Sequence, residues 1–143
     1  MKRVLALLLV TLLAAAACGG GSSGSGGSGG GSGQTSAADL RLKDGTQGLA
    51  ELEGPLDFAF LDAGKGDYPR QLELVVPLLR EGGVVAVDNV LLSGAAAEGQ
   101  EPTHWSDEDV LTIRAFNADL VADRGLIATV LSVGDGVALA VRR

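Results

Sequence analysis

Two uninterrupted apolar runs stand out along the chain. Phe58–Leu61 in LDFAFLD and Val84–Val87 in VVAVDN both read as strands covered on two faces, and each stops abruptly on a carboxylate, Asp62 or Asp88. Between them, YPRQLELVVPLLREGG places Leu72, Val75, Val76 and Leu79 at i, i+3, i+4 and i+7, the spacing of one helix face. Pro69 suits the first turn of that helix, Pro77 should bend it, and Gly82 with Gly83 should end it. SDEDVLTIRAFNADLVADRG reads as the clearest helix. Ser106 is its expected N-cap, and Asp107, Glu108 and Asp109 sit where the helix dipole favours negative charge. Val110, Ile113, Asn117, Leu120 and Val121 would share its inward face, with Gly125 as its end. LIATVLSV and GVALAVRR read as a hairpin turning at Gly134–Gly136. Ahead of the first apolar run, ADLRLKDG alternates like a short strand, and TQGLAELEG reads as a short helix closed by Gly54. Residues 93–105 read as a loop. This order predicts an α/β layer fold whose sheet is mostly parallel, with an antiparallel end.

The start of the chain obeys a different pattern. Lys2 and Arg3 precede a 14-residue apolar run, Val4–Ala17. A membrane-spanning helix needs about 20 residues, so the run suits a secretory signal better than a span. It ends in AAAC, which resembles a bacterial lipobox and would make Cys18 the lipidated first residue of an exported, membrane-attached lipoprotein. Ala15 stands where leucine is commonest in that motif, and an ordinary cleaved signal remains the alternative. Cys18 is the only cysteine, which excludes an intrachain disulfide. Residues 19–33 are purely Gly and Ser, a tether with a root-mean-square reach of about 20 Å. Its formal GxGxxG match, Gly24 to Gly29, lacks the preceding strand and following helix that a dinucleotide site requires. The expected organisation is therefore a signal over 1–18, a linker over 19–36 and one small domain over 37–143. Without Lys2 and Arg3 the formal charge falls from −7 to −9. That balance, with no basic patch or aromatic platform, argues against nucleic acid as a partner.

The chemistry lies at the two strand ends. In parallel sheets ligands bind beyond the carboxyl ends of the strands. If the two runs are neighbours, about 4.8 Å apart, Asp62 and Asp88 converge, with Asn89 beside them. Two carboxylates and an amide oxygen are hard ligands that suit Mg²⁺ or Ca²⁺. The alternative is that each Asp simply caps the turn that follows. Lys65 lies three residues after Asp62. Beside a cation its ammonium would be pushed toward deprotonation and could serve as a general base; otherwise it is a solvated loop lysine.

The stretch LDFAFLDAGKGDYPRQLELVVPLLREGGVVAVDNVLLSG resembles the metal-dependent O-methyltransferases of the catechol and caffeoyl-CoA type. Their hallmark is an aspartate strand end with a lysine and a tyrosine close behind, then a helix, LLRxGG, and a strand ending in DNVL. IRAFNADLVADRGLIATVLSVGDGVALAVRR resembles that family's last helix and hairpin, and LRLKDGTQGLAEL the segment beside the cofactor's adenine. The resemblance covers nearly all of Ala38–Arg143. It implies that Asp62, Asp88 and Asn89 hold a divalent cation, Mg²⁺ first, that Lys65 is the base, and that Gly45, Thr46, Gln47 and Asp62 meet S-adenosylmethionine. It implies methyl transfer to a hydroxyl of a small, catechol-like acceptor, with His104 and Trp105 either bordering that acceptor or serving as ordinary loop residues. Leu92 stands where the family commonly has tryptophan; Tyr68 is kept. The family's sheet order, 3-2-1-4-5-7-6, implies a partial Rossmann-like sheet here, with the first two strands missing and a signal and tether in their place. Methyl transfer by this chain is then expected to be impaired or absent, unless a missing N-terminal half acts in trans or a homodimer completes the site. The alternatives are a non-catalytic lipid-anchored surface domain, or a fused or misjoined fragment whose location is cytoplasmic.

Overall fold

The computed structural model describes residues 43–97 and 104–143. Helix α1 (Gly45–Ala50) is capped by Asp44, whose side chain accepts from Gln47 N at 3.1 Å. It stops at Ala50, short of the Gly54 expected from the sequence. Gly54 serves packing instead: a Cβ there would lie 2.6 Å from Leu78 O. The strand expected over 38–45 falls mostly outside the described residues, and Gly45 already belongs to α1.

Strand β1 (Leu56–Leu61) leads through a 3₁₀ turn at Lys65–Asp67 into α2 (Tyr68–Val75), with Pro69 in its first turn. The helix is shorter than the apolar spacing predicts. A 3₁₀ turn over Val76–Leu78 contains Pro77, and β2 (Leu79–Asp88) begins immediately after it. Proline has no N–H to extend the helical ladder, so Leu79 joins the sheet, where it pairs with Leu56. The register then slips before Phe58 pairs with Val84. Gly82, at φ 71°, sits in this irregular stretch rather than at a helix end.

Helix α3 (Asp107–Ala122) starts as expected, with Ser106 Oγ accepting from Asp109 N at 3.1 Å. Its buried face is Val110, Ile113, Phe116 and Leu120. Val121 is 57% exposed, contrary to the sequence reading, because the stripe drifts toward Phe116 around the helix. The helix ends three residues before Gly125, whose N–H is donated to the Asp123 side chain at 2.7 Å. The hairpin β3 (Leu126–Leu131) and β4 (Val137–Arg142) forms as expected, with Gly134 at φ 55° and Gly136 at φ 86° in its turn.

The sheet order is β1-β2-β4-β3, with β1 parallel to β2 and β4 antiparallel to both its neighbours. Three of these strands therefore run one way and only β4 opposes them, the mixed α/β sheet expected. One face carries Ala59, Leu61, Val85, Val87, Ala138 and Ala140, all buried in the core with Tyr68, Val75, Ile113 and Phe116. The same register puts Phe58, Val84, Val141 and Ile127 in one row of the other face. Those four stand outside the core cluster and are half-buried or exposed. Among the described residues no helix is long and apolar enough to cross a membrane.

Candidate active site

The parallel pairing of β1 and β2 runs through Leu61 and Val87, so Asp62, just past the end of β1, and Asp88, the last residue of β2 and paired with Val137, come next on neighbouring strands. Both are half-buried, as is Asn89. The loop after β1 turns back through the 3₁₀ turn, which puts Lys65 against these tips. Lys65 is only 6% exposed. It is a buried cation, not the solvated loop lysine that the sequence also allowed.

Its ammonium is held from two sides. Nζ donates to Tyr68 Oη at 2.6 Å and lies 3.4 Å from Asn89 Oδ1. Tyr68, fully buried, donates its own proton to the carbonyl of Asp88 at 2.8 Å. One phenol thus accepts from the lysine and ties it to the end of β2. Nζ also stands 4.4 Å from the Tyr68 ring centre and 5.7 Å from that of Trp105, a cation over aromatic faces. Phe116 of α3 packs on Tyr68 with ring centres 5.7 Å apart, which fixes the ring from behind.

Burial lowers the Lys65 pKa from its ordinary value, against the opposing pull of Asp62, Asp88, Asp109 and Asp135. Desolvation penalises the ammonium more than these carboxylates stabilise it. Tyr68 moves the other way: burial first, with the charges of Asp62 and Asp88, keeps it protonated well above the usual phenol range. It is therefore a fixed hydrogen-bond partner rather than a proton carrier.

The donor set at the strand ends is two carboxylates and an amide oxygen. Among the described residues no group of three or more His, Cys, Asp or Glu is placed to hold a metal ion. Hard oxygens nonetheless fit a hard cation, and the site already gathers positive charge: the Lys65 ammonium faces Asn89 Oδ1 and is drawn by both aspartates. Asn89 Oδ1 would have to give up that contact to bind a metal.

Gly45, Thr46 and Gln47 are grouped elsewhere, on the first turn of α1, which makes its main contacts with α2. Gly45 is buried, Thr46 half-buried and Gln47 exposed. His104 and Trp105 stack with ring centres 4.8 Å apart. Trp105 packs on the core, and its buried Nε1 has no hydrogen-bond partner among the described residues. Cys18 lies outside the described residues. Sequence reasoning missed the contribution of α3 to this corner. Asn117 donates to Val90 O at 2.7 Å, and Arg114 donates to the carbonyls of Ala95, Ala96 and Ala97. The available signal was a polar residue, Asn117, on an otherwise apolar helix face.

The O-methyltransferase family model matches residues 32–143. The chain belongs to the O-methyltransferase family. It is 35% identical over 106 residues to "Probable caffeoyl-CoA O-methyltransferase 1" of Dictyostelium discoideum, covering 71% of this chain and 45% of that one. Tricin synthase 2 of Oryza sativa subsp. japonica is 43% identical over 91 residues, 62% of this chain and 31% of its own. Among solved structures, the O-methyltransferase from Bacillus cereus in complex with SAH superposes with a TM-score of 0.56 at 32% identity, over 69% of this chain and 46% of that chain. The SAH-bound Podospora anserina methyltransferase PaMTH1 shares the fold, with a TM-score of 0.67 at 24% identity over 77% and 51% of the two chains. The chain thus spans about half or less of the length of these relatives.

Proposed function

We propose that the strand-end cluster is the acceptor and cation site of a methyl transfer from S-adenosylmethionine to a hydroxyl of a small, catechol-like molecule. The observation that carries this is Lys65, buried and held between Tyr68 Oη and Asn89 Oδ1 beside two carboxylates. When bound, the sulfonium cofactor supplies an electrophilic methyl group, and a divalent cation, Mg²⁺ first, favours the ionised form of the acceptor oxygen.

Asp62, Asp88 and Asn89 would hold the cation, and Asp62 with Gly45, Thr46 and Gln47 would meet the cofactor. Lys65 takes the hydroxyl proton. Its lowered pKa enlarges the neutral amine fraction available for this. Tyr68 keeps the amine aimed at the strand ends. The methyl group received by the deprotonated acceptor oxygen would come from the bound sulfonium, whose sulfur would keep the electron pair of the broken bond. The chain's part in that step is alignment.

The experiment is calorimetric titration of the full chain with S-adenosylmethionine, with and without Mg²⁺, followed by transfer of a labelled methyl group to catechol. Saturable heat, and transfer abolished in Lys65→Met, support the reading; no heat with either ligand overturns it. A second reading, a domain that keeps the fold without turnover, is favoured by the half-exposed outer face of the sheet. It predicts cooperative unfolding together with no cofactor heat. For the N-terminus we propose export and lipid attachment at Cys18. Incorporated labelled palmitate should disappear in Cys18→Ser, and its persistence would exclude that site.

A further inference from the structure

The turn that follows the second aspartate is conformationally expensive. Asn89 has φ 55°, Leu92 φ 51° and Ser93 φ 55°, three non-glycine residues in the left-handed region within five positions. Asn tolerates that region, but for Leu and Ser the Cβ crowds the following carbonyl there. Such a turn persists only where its surroundings over-determine it.

Those surroundings come from two elements far along the chain. The hairpin turn supplies two acceptors: Val90 N donates to Gly136 O at 3.1 Å and Leu91 N to Asp135 O at 2.8 Å. Helix α3 supplies a donor, Asn117 Nδ2, to the carbonyl of Val90 at 2.7 Å. Val90, the residue after Asn89, is therefore bonded at both its N–H and its carbonyl. Among the described residues the buried side-chain oxygen of Asn117 has no partner. A buried amide left half-satisfied is unfavourable for folding, which argues that the retained half has a use.

We propose that Asn117 is a positioning residue for the cation site. By fixing the Val90 carbonyl it holds the turn in which Asn89 keeps its left-handed conformation and its Oδ1 faces Lys65 at the strand-end cluster. This rests on the proposed cation role of Asp62, Asp88 and Asn89. In relaxed, right-handed backbone the Asn89 side chain would leave that cluster, and two carboxylates would remain to hold the ion.

The test uses the full chain, with Mn²⁺ as probe. Mn²⁺ affinity is measured by electron paramagnetic resonance, and exchange of the Val90 and Leu91 amides by deuterium labelling. Asn117→Leu keeps the bulk and removes the donor. Ile113→Val, at a fully buried position of the same helix, loosens packing and leaves every hydrogen bond to the turn in place. Asn117→Leu is expected to weaken Mn²⁺ binding by about 10–100-fold, the usual effect of removing a partner that orients a ligand, and to speed exchange at Val90 and Leu91. Ile113→Val should lower the unfolding midpoint and leave Mn²⁺ affinity unchanged. Wild-type affinity in Asn117→Leu overturns the inference, as does an equal loss of affinity in Ile113→Val. If the wild type binds no Mn²⁺, the cation reading itself falls and takes this inference with it; the amide exchange separates that result from a failed clamp.

Discussion

Lys65 and Tyr68 share one hydrogen bond and have opposite shifts. The Lys65 pKa is lowered by burial, so the unfolded chain binds more protons than the folded one between the folded pKa and the ordinary lysine value of about 10.4. Stability therefore rises with pH across that window, and the penalty for burying the ammonium is fully present below it. Tyr68 is raised, so its contribution is intact below its ordinary value of about 10 and fades only above it. Of these two groups, only the lysine contributes a slope below the ordinary tyrosine value. The wild-type unfolding free energy should thus climb with pH more steeply than that of Lys65→Met, measured by urea titration in a chelating buffer. Parallel curves would show that the ammonium is not desolvated. Tyr68→Phe removes a buried hydroxyl and leaves both Lys65 Nζ and the Asp88 carbonyl short of a partner. A loss of about 1–3 kcal/mol is expected. At about 4–8 °C per kcal/mol for a domain of this size, a thermal scan resolves it easily.

At the scale of elements, α3 stabilises itself at its first turn and the site at its middle. Ser106 Oγ receives the Asp109 N–H, and three acidic residues follow. Ser106→Ala should lower stability by about 1 kcal/mol, read as a shifted urea midpoint with unchanged slope. That cap was legible in the sequence, as were both strands and the hairpin, because an apolar run that ends on charge marks where the sheet meets solvent. The end of α2 was not legible. Leu79 fits the helical spacing, and only the loss of a donor at Pro77, together with pairing to Leu56, takes it into β2. The burial of Lys65 was hidden for a related reason: it depends on Trp105 and on the Phe116-backed ring of Tyr68, distant in sequence. The Asn117 bond spans 27 positions and ends on a backbone carbonyl, so no residue type at the far end announces it.

At the scale of the molecule, the two faces of the sheet differ. The face under α2 and α3 is dry: Val85, Val87 and Ala138 are fully buried. On the opposite face Ile127 is 58% and Leu131 38% exposed, and the row from Phe58 to Ile127 lies outside the core. A parallel strand pair is normally covered on both sides, and contiguous exposed apolar surface promotes association. β1 adds to this. Among the described residues it pairs only with β2, and an apolar strand with one partner is the kind of edge that favours strand pairing. Association should therefore be separable from folding by choosing which face to alter. Thr keeps the branched shape that a strand accepts, so the double change Ile127→Thr with Leu131→Thr should move stability by no more than about 0.5 kcal/mol per site. Concentration-dependent sedimentation should fall at the same time. Val87→Thr is the same kind of change on the dry face, where it buries a hydroxyl, and should lose about 1–3 kcal/mol without altering self-association. If the double outer-face variant unfolds as readily as Val87→Thr, that face is part of the core after all, and the half-exposed sheet is not a surface for association.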